Sequence, residues 1–152
     1  MTDELTERLI GRLQQAVFEG TPFARDPAWY FLILKNPEVL NGVIELSRST
    51  CVNAELAVLG FAAWKPAAMA DACAALFRMK EAAETDCKTA FSDEITLCFA
   101  DPSHASMCDA FGIPSGYVCI GAFLISEGEK EEEGSGYEKQ AGPRYNVFTV
   151  AA

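Results

Sequence analysis

A series of short apolar runs limits what this 152-residue chain can fold into. The clearest run is Trp29–Leu34, with the sequence WYFLIL, and polar or turn-forming residues bound it on both sides. Runs of this length and composition are too short for a comfortable helix and are typical of buried strands. The same pattern predicts further strands at Ala54–Ala63, Ile95–Ala100, Val118–Ile125 and Tyr145–Val150.

Helical spacing fills the intervals between these runs. Residues 4–18 place apolar side chains three and four apart, with Thr2 or Asp3 as the expected N-cap. Pro37–Leu46 predicts a short helix, and residues 67–90 predict a long one. The long helix has one apolar stripe, formed by Ala72, Leu76, Met79, Ala83 and Cys87. Strands that alternate with helices in this way predict an α+β or α/β sheet domain.

Composition sets the class of protein and excludes several functions. Half of the residues are apolar, so the chain can bury a full core, and we predict a single domain over residues 1–152. The charged, Gly-rich residues 126–136 predict a mobile acidic loop. A net charge of −10 repels phosphate groups, which argues against nucleic acid and anionic membranes as partners. The N-terminus does not resemble a signal peptide, and we expect a soluble, cytoplasmic protein.

The sequence offers no catalytic or metal-binding constellation. Six cysteines are scattered without Cys-x-x-Cys spacing, and Cys73, Cys98 and Cys119 fall in apolar runs, where we expect small buried side chains. His104 is the only histidine, so a zinc or di-iron site is not expected. A nucleophilic triad would have to use this one histidine, and its neighbour Asp101 is better explained as a helix start.

Four stretches, taken in order, resemble the nitroreductase superfamily of FMN-dependent, NAD(P)H-using oxidoreductases. The first resembles the opening helix, the Trp-containing loop and the first strand of that family, and the second resembles its long central helix. The third is similar to its Gly-Ile-Pro-x-Gly-Tyr loop and the strand after it, and the fourth to its C-terminal Pro-x-Arg segment. The stretches are ELTERLIGRLQQAVFEGTPFARDPAWYFLIL, ADACAALFRMKEAAE, CDAFGIPSGYVCIGAFLI and GPRYNVFTV.

This resemblance implies a fold, a cofactor and an assembly. The implied fold is α+β, a three-layer sandwich whose central mixed, mostly antiparallel sheet is flanked by helices. The implied activity passes electrons from NAD(P)H through FMN to an electron-poor small-molecule acceptor, with no catalytic side chain required because the cofactor carries the chemistry. The implied assembly is a homodimer with helix 67–90 at its interface, which Ala75→Glu or Leu76→Glu would then disrupt.

The resemblance also implies where FMN would bind. Arg25 falls in the loop that faces the flavin, although a surface arginine is an alternative, and Trp29 matches the Trp of the family. A Trp ahead of a strand also packs commonly against the edge of a core, and we keep that alternative open. Lys88 and Thr89 fall near the Gly-Leu-Gly segment that approaches the ring at the end of the long helix.

Arg144 is the implied partner of the FMN phosphate, because a guanidinium grips phosphate with two parallel hydrogen bonds. The alternative for Arg144 is a solvated charge, or a partner for the acidic run Glu131–Glu133.

The chain departs from the family pattern at three of these places, which keeps a second function open. We expect that the Arg-rich segment, which precedes the first helix in the family, has no counterpart here. The family has Asn and Gln in the loop before its Trp, and these positions are Arg25 and Pro27 here. Residues Cys87–Thr89 stand where the family has Gly-Leu-Gly. The alternative function is therefore a flavin-free relative that acts as a binding or scaffolding protein, and whether the chain is an enzyme stays open at this point.

Overall fold

The computed structural model describes residues 2–18, 28–48, 53–127 and 147–150. Arg25, Arg144 and all of the predicted acidic loop beyond its first two residues lie outside these ranges. The helices are α1 (Asp3–Phe18), α2 (Pro37–Ser47), α3 (Pro66–Ala83), α4 (Asp93–Ala100) and α5 (Ala105–Ala110), with a 3₁₀ turn at Pro102–His104 before α5. The strands are β1 (Trp29–Leu34), β2 (Leu56–Ala63), β3 (Lys88–Phe91), β4 (Tyr117–Ser126) and β5 (Val147–Val150).

The five described strands form one sheet in the order β3-β4-β2-β1-β5. β1 pairs with β2, β2 with β4, and β3 with β4, all antiparallel, whereas β5 runs parallel to β1. β3 and β5 are therefore the edges of the described sheet. The sheet is mixed and mostly antiparallel, which confirms the prediction.

Helices cover both faces of the sheet, because β1, β2 and β4 bury apolar side chains on both faces. One core joins α1 and α3 to the strand positions Phe31, Ile33, Val58 and Phe123. The other core joins α2, α4 and the residues around α5 to Leu32, Leu59, Phe61 and Leu124. The three-layer α+β sandwich is therefore confirmed. Among the described residues, no helix combines the length and the hydrophobicity that a bilayer crossing requires.

Two arginines tie α1 to α3 on the first face. Arg78 donates from Nε to the Ala16 carbonyl at 3.1 Å and from Nη2 to the Val17 carbonyl at 2.9 Å, which satisfies carbonyls at the end of α1. Arg12 pairs with Asp86 at 2.8 Å. The apolar stripe of α3 packs against α1 and the sheet of the same subunit. Ala75 is only 2% and Leu76 0% exposed. The expectation that these two residues lie at a subunit interface is therefore wrong.

The predicted strand at Ile95–Ala100 is a helix, α4. Ser92 caps this helix, because its Oγ accepts a hydrogen bond from the Ile95 backbone N–H at 3.2 Å. Ile95, Cys98 and Phe99 are buried while Leu97 is 68% exposed, which is the period of a helix and not of a strand. The segment is short and apolar, and such segments cannot be assigned by composition alone.

The predicted helix over 67–90 ends at Ala83, and Lys88–Phe91 form β3 instead. The turn between them is closed by the Cys87 backbone N–H, which donates to the Ala83 carbonyl at 3.0 Å. β3 is held by pairing with β4 and by Phe91, whose ring meets Phe123 edge-on at 6.4 Å. Tertiary pairing thus overrides the helical period that continues through Cys87, which is nonetheless buried.

Candidate functional site

Trp29 begins β1 and packs in the core. It is 5% exposed, lies in the same core as α1 and α3, and its ring is 5.9 Å from that of Phe31. The side chain therefore supports the end of β1, and a ligand at this end would meet the residues around Trp29 more than its ring.

Lys88 and Thr89 lie on β3, at the edge of the sheet and not at the end of a helix. Lys88 pairs with Ser126 and Thr89 with Ile125 of β4, and both side chains are partly exposed. Because successive side chains of a strand alternate, the two project to opposite faces, with Thr89 on the same face as Phe91. That face is the one covered by α1 and α3.

The Thr89 hydroxyl is bonded to a charged pair that the sequence did not reveal. Thr89 Oγ1 lies 2.6 Å from Glu84 Oε2, and Lys80 Nζ donates to the same oxygen at 2.5 Å. Lys80 is only 2% exposed, and its ammonium also lies 5.0 Å from the centre of the Phe91 ring. The spacing of Lys80 and Glu84 predicts a helix-surface pair, but β3 covers it, and that cover was not predicted from the sequence.

The structure does not bring Trp29 and Thr89 together within one subunit. Trp29 pairs with Ala62 of β2. Thr89 pairs with Ile125 of β4, and Ile125 pairs with Leu56 of β2. The six residues between these positions of β2 correspond to ~20 Å along the strand, and the three strand spacings from β3 to β1 add ~14 Å across the sheet. The two predicted contacts therefore lie at opposite ends of the sheet.

The outer face of α3 carries exposed apolar side chains, followed by the exposed Glu81 on the same side. We define this face by Ala70, Cys73, Ala74 and Phe77, which share one side of the helix, together with Trp64 just before it. Trp64 is 72% and Phe77 is 44% exposed. Cys73 was expected to be buried and is exposed, because the buried stripe of α3 runs along the opposite side.

Cys98 and His104 lie together at the end of α4. His104 Nδ1 lies 3.0 Å from the Cys98 carbonyl and 3.5 Å from Cys98 Sγ. Burial, followed by the nearby Asp101, raises the pKa of the Cys98 thiol, and burial raises the pKa of Cys119 to about 12. A thiol with a raised pKa is a poor nucleophile. Within the described ranges, no group of three or more His, Cys, Asp or Glu side chains is arranged to hold a metal ion.

One cavity in the described part of the chain lies at the start of α1. It has a volume of about 600 Å³ and is bounded by the start of α1, the link from β1 to α2 and the residues before β2. Its wall contains the ion pair of Lys35 with Glu7, at 3.1 Å. Of the sequence-predicted binding residues, the three that the structure describes, Trp29, Lys88 and Thr89, do not line it.

Neither a family model nor a curated protein matches the sequence. Solved structures do match the fold. A nitroreductase with bound FMN from Bacteroides fragilis matches with a TM-score of 0.67 and 13% identity, over 88% of this chain and 82% of that chain. The chain has a nitroreductase-like fold.

Two further structures with the nitroreductase-like fold extend the comparison. A nitroreductase with bound FMN from Desulfitobacterium hafniense matches with a TM-score of 0.61 and 14% identity, over 92% of this chain and 88% of that one. A putative NADH oxidase from Clostridium acetobutylicum matches with a TM-score of 0.53 and 19% identity, over 87% and 80%. At these identities the likeness establishes the fold.

Proposed function

We propose that two copies of this chain bind FMN and pass electrons from NAD(P)H to an electron-poor small-molecule acceptor. The observation that carries the proposal is the nitroreductase-like fold, which extends over most of the chain and matches two structures with bound FMN. When bound, FMN supplies the chemistry by accepting hydride and passing it on. The protein then has to bind the ring, orient it and limit the access of water.

The β3 end of the proposed site offers polar groups for one edge of a flavin. Oxidised flavin presents two carbonyl acceptors on either side of one imide N–H. Thr89 offers a hydroxyl on one face of β3 and Lys88 a cationic donor on the other; both are partly exposed, and β3 is an edge of the described sheet. Arg25 and Arg144 are proposed as further FMN contacts, and Trp29 as support for the loop before β1.

The separation of these residues supports a homodimer. α3 begins beyond the Trp29 end of the sheet and runs ~27 Å toward β3. Two copies packed antiparallel along the outer face of α3 would bring the Trp29 end of one subunit beside the Thr89 end of the other. The proposed ring site therefore lies between subunits and uses both ends of the sheet.

The test is the cofactor content and turnover of the purified protein. We expect a yellow protein with flavin absorbance, one FMN released per chain on denaturation, and oxidation of NADH or NADPH in the presence of a quinone or nitroaromatic acceptor. A colourless protein that takes up no added FMN would overturn the proposal.

That result would favour a flavin-free binding or scaffolding protein. The observation that favours this alternative is that side chains at the start of β3 already have partners. Cys87 is buried, and the Thr89 hydroxyl is bonded to Glu84. The two functions differ in whether this hydroxyl still serves a ligand.

A further inference from the structure

The chemistry of the Thr89 hydroxyl is determined by its neighbours. A carboxylate carries no hydrogen, so the contact of 2.6 Å between Thr89 Oγ1 and Glu84 Oε2 requires that Thr89 donates. Lys80 donates to the same carboxylate oxygen, which therefore accepts from both groups. The single hydroxyl hydrogen is therefore used, and the lone pairs of Thr89 Oγ1 remain for a second partner.

The ammonium of this pair is shielded from water, whereas the carboxylate is partly exposed. Lys80 is 2% exposed on the side of α3 that faces β3, and it contacts Glu84 and the Phe91 ring, while the Glu84 side chain is 25% exposed. A buried ammonium is retained only where its partner is held, which keeps the Glu84 carboxylate beside Lys80. Lys80 thus positions Glu84, and Glu84 positions the Thr89 hydroxyl on the edge strand.

We propose that Lys80 and Glu84 make Thr89 an obligate hydrogen-bond acceptor, which selects a ligand that presents an N–H group at the β3 edge. This inference rests on the proposed function, and it deepens it: the matching group on oxidised flavin is the imide N3–H. A ligand with an acceptor at that position would face oxygen lone pairs and leave Thr89 without a second bond. Thr89 is the contact residue, and Lys80 and Glu84 are positioning residues.

The test compares FMN with 3-methyl-FMN, whose imide nitrogen carries no hydrogen. Dissociation constants are measured by flavin fluorescence and calorimetry on the full chain. We expect the wild type to bind FMN roughly tenfold more tightly, the scale of one hydrogen bond. In Thr89→Val, which keeps the shape of the side chain, the ratio of the two dissociation constants should fall to about one. Thr89→Ser keeps the hydroxyl and should restore the preference.

The positioning role is tested by removing the charged pair as a unit. Lys80→Met with Glu84→Leu avoids leaving one buried charge alone. We expect it to lower the ratio less than Thr89→Val does, because the released hydroxyl still has its lone pairs but is no longer held with them toward the ligand. The matched control is Lys35→Met with Glu7→Leu, which removes the exposed pair at 3.1 Å and should leave the ratio unchanged. General loosening of the fold lowers both affinities and leaves their ratio unaltered, so the ratio separates positioning from stability.

The outcomes separate the inference from the proposed function. Failure of the wild type to bind either flavin overturns both. Binding of FMN without preference over 3-methyl-FMN, or a preference that survives in Thr89→Val, overturns the inference and leaves the proposed function standing. A preference that is undiminished after removal of the Lys80–Glu84 pair overturns the positioning role alone.

Discussion

At the scale of single residues, burial decides which groups can take part in chemistry. The expectation that cysteines in apolar runs are small buried side chains is confirmed for Cys98 and Cys119, which are 7% and 9% exposed. It is wrong for Cys73, because composition around a helical residue does not say which side of the helix faces the core. The Trp29 ring is buried, as expected if it packs against the edge of a core. Its role beside a ligand stays a proposal.

The buried thiol of Cys119 predicts a loss of stability at alkaline pH. Burial raises its pKa from 9.0 to about 12 in the folded protein, so between these values the unfolded chain has lost a proton that the folded chain keeps. The contribution of Cys119 to stability is therefore complete below pH 9, and it falls by up to about 1.4 kcal/mol per pH unit above it.

The measurement is urea unfolding of the wild type and Cys119→Ala at several alkaline pH values. The difference in free energy of unfolding should be constant below pH 9 and should shift steadily in favour of the variant above it. Cys73→Ala is the control, because this thiol is exposed, and its pH dependence should follow the wild type more closely. Parallel curves for all three proteins would show that Cys119 does not titrate in this way.

At the scale of elements, the sequence was informative where amphipathic period and turn chemistry agree. β1, β2, β4, α1 and α2 lie within about two residues of their predicted bounds, and the predicted terminal strand is present at Val147–Val150. The two errors, α4 and β3, are segments whose conformation is set by their neighbours. α4 packs its Phe99 ring against Phe61 of β2. β3 forms a strand because its backbone pairs with β4.

The Ser92 cap is the local feature that distinguishes α4 from a strand. Ser92 is 3% exposed and its Oγ accepts from the Ile95 N–H, so Ser92→Ala leaves a buried donor without its partner. We expect Ser92→Ala to lower the free energy of unfolding by about 1 kcal/mol. Ser106→Ala, on the exposed side of α5, is the matched control and should change stability by less than about 0.5 kcal/mol. Equal effects of the two changes in chemical denaturation would contradict the capping role.

At the scale of the whole molecule, the sequence led to the right fold but to the wrong side of α3. Alanine density correctly indicated a close helix contact, yet the contact is with α1 and the sheet of the same subunit. The periodicity of a helix distinguishes an apolar face from a polar one. It does not say which of two apolar faces is buried within the subunit. Only the packing of α1 reveals that the side with Trp64 and Phe77 is the one left outside.

The outer face of α3 therefore carries the last prediction. Phe77→Glu places a charge at the centre of the proposed interface, where an unpaired buried charge costs several kcal/mol, enough to dissociate a dimer. Since Phe77 is already 44% exposed in the subunit, the fold itself should tolerate the change. Sedimentation should show a dimer for the wild type and a folded monomer for the variant, with FMN affinity lost because each site needs two copies.

Leu97→Glu is the control on α4, where the side chain is 68% exposed on the opposite layer, and it should remain a dimer that binds FMN. A monomeric wild type, or a Phe77→Glu protein that still dimerises, would exclude this face as the interface. FMN bound by a monomer would require both ends of the sheet to reach one ring, which their separation of more than ~20 Å within a subunit does not allow.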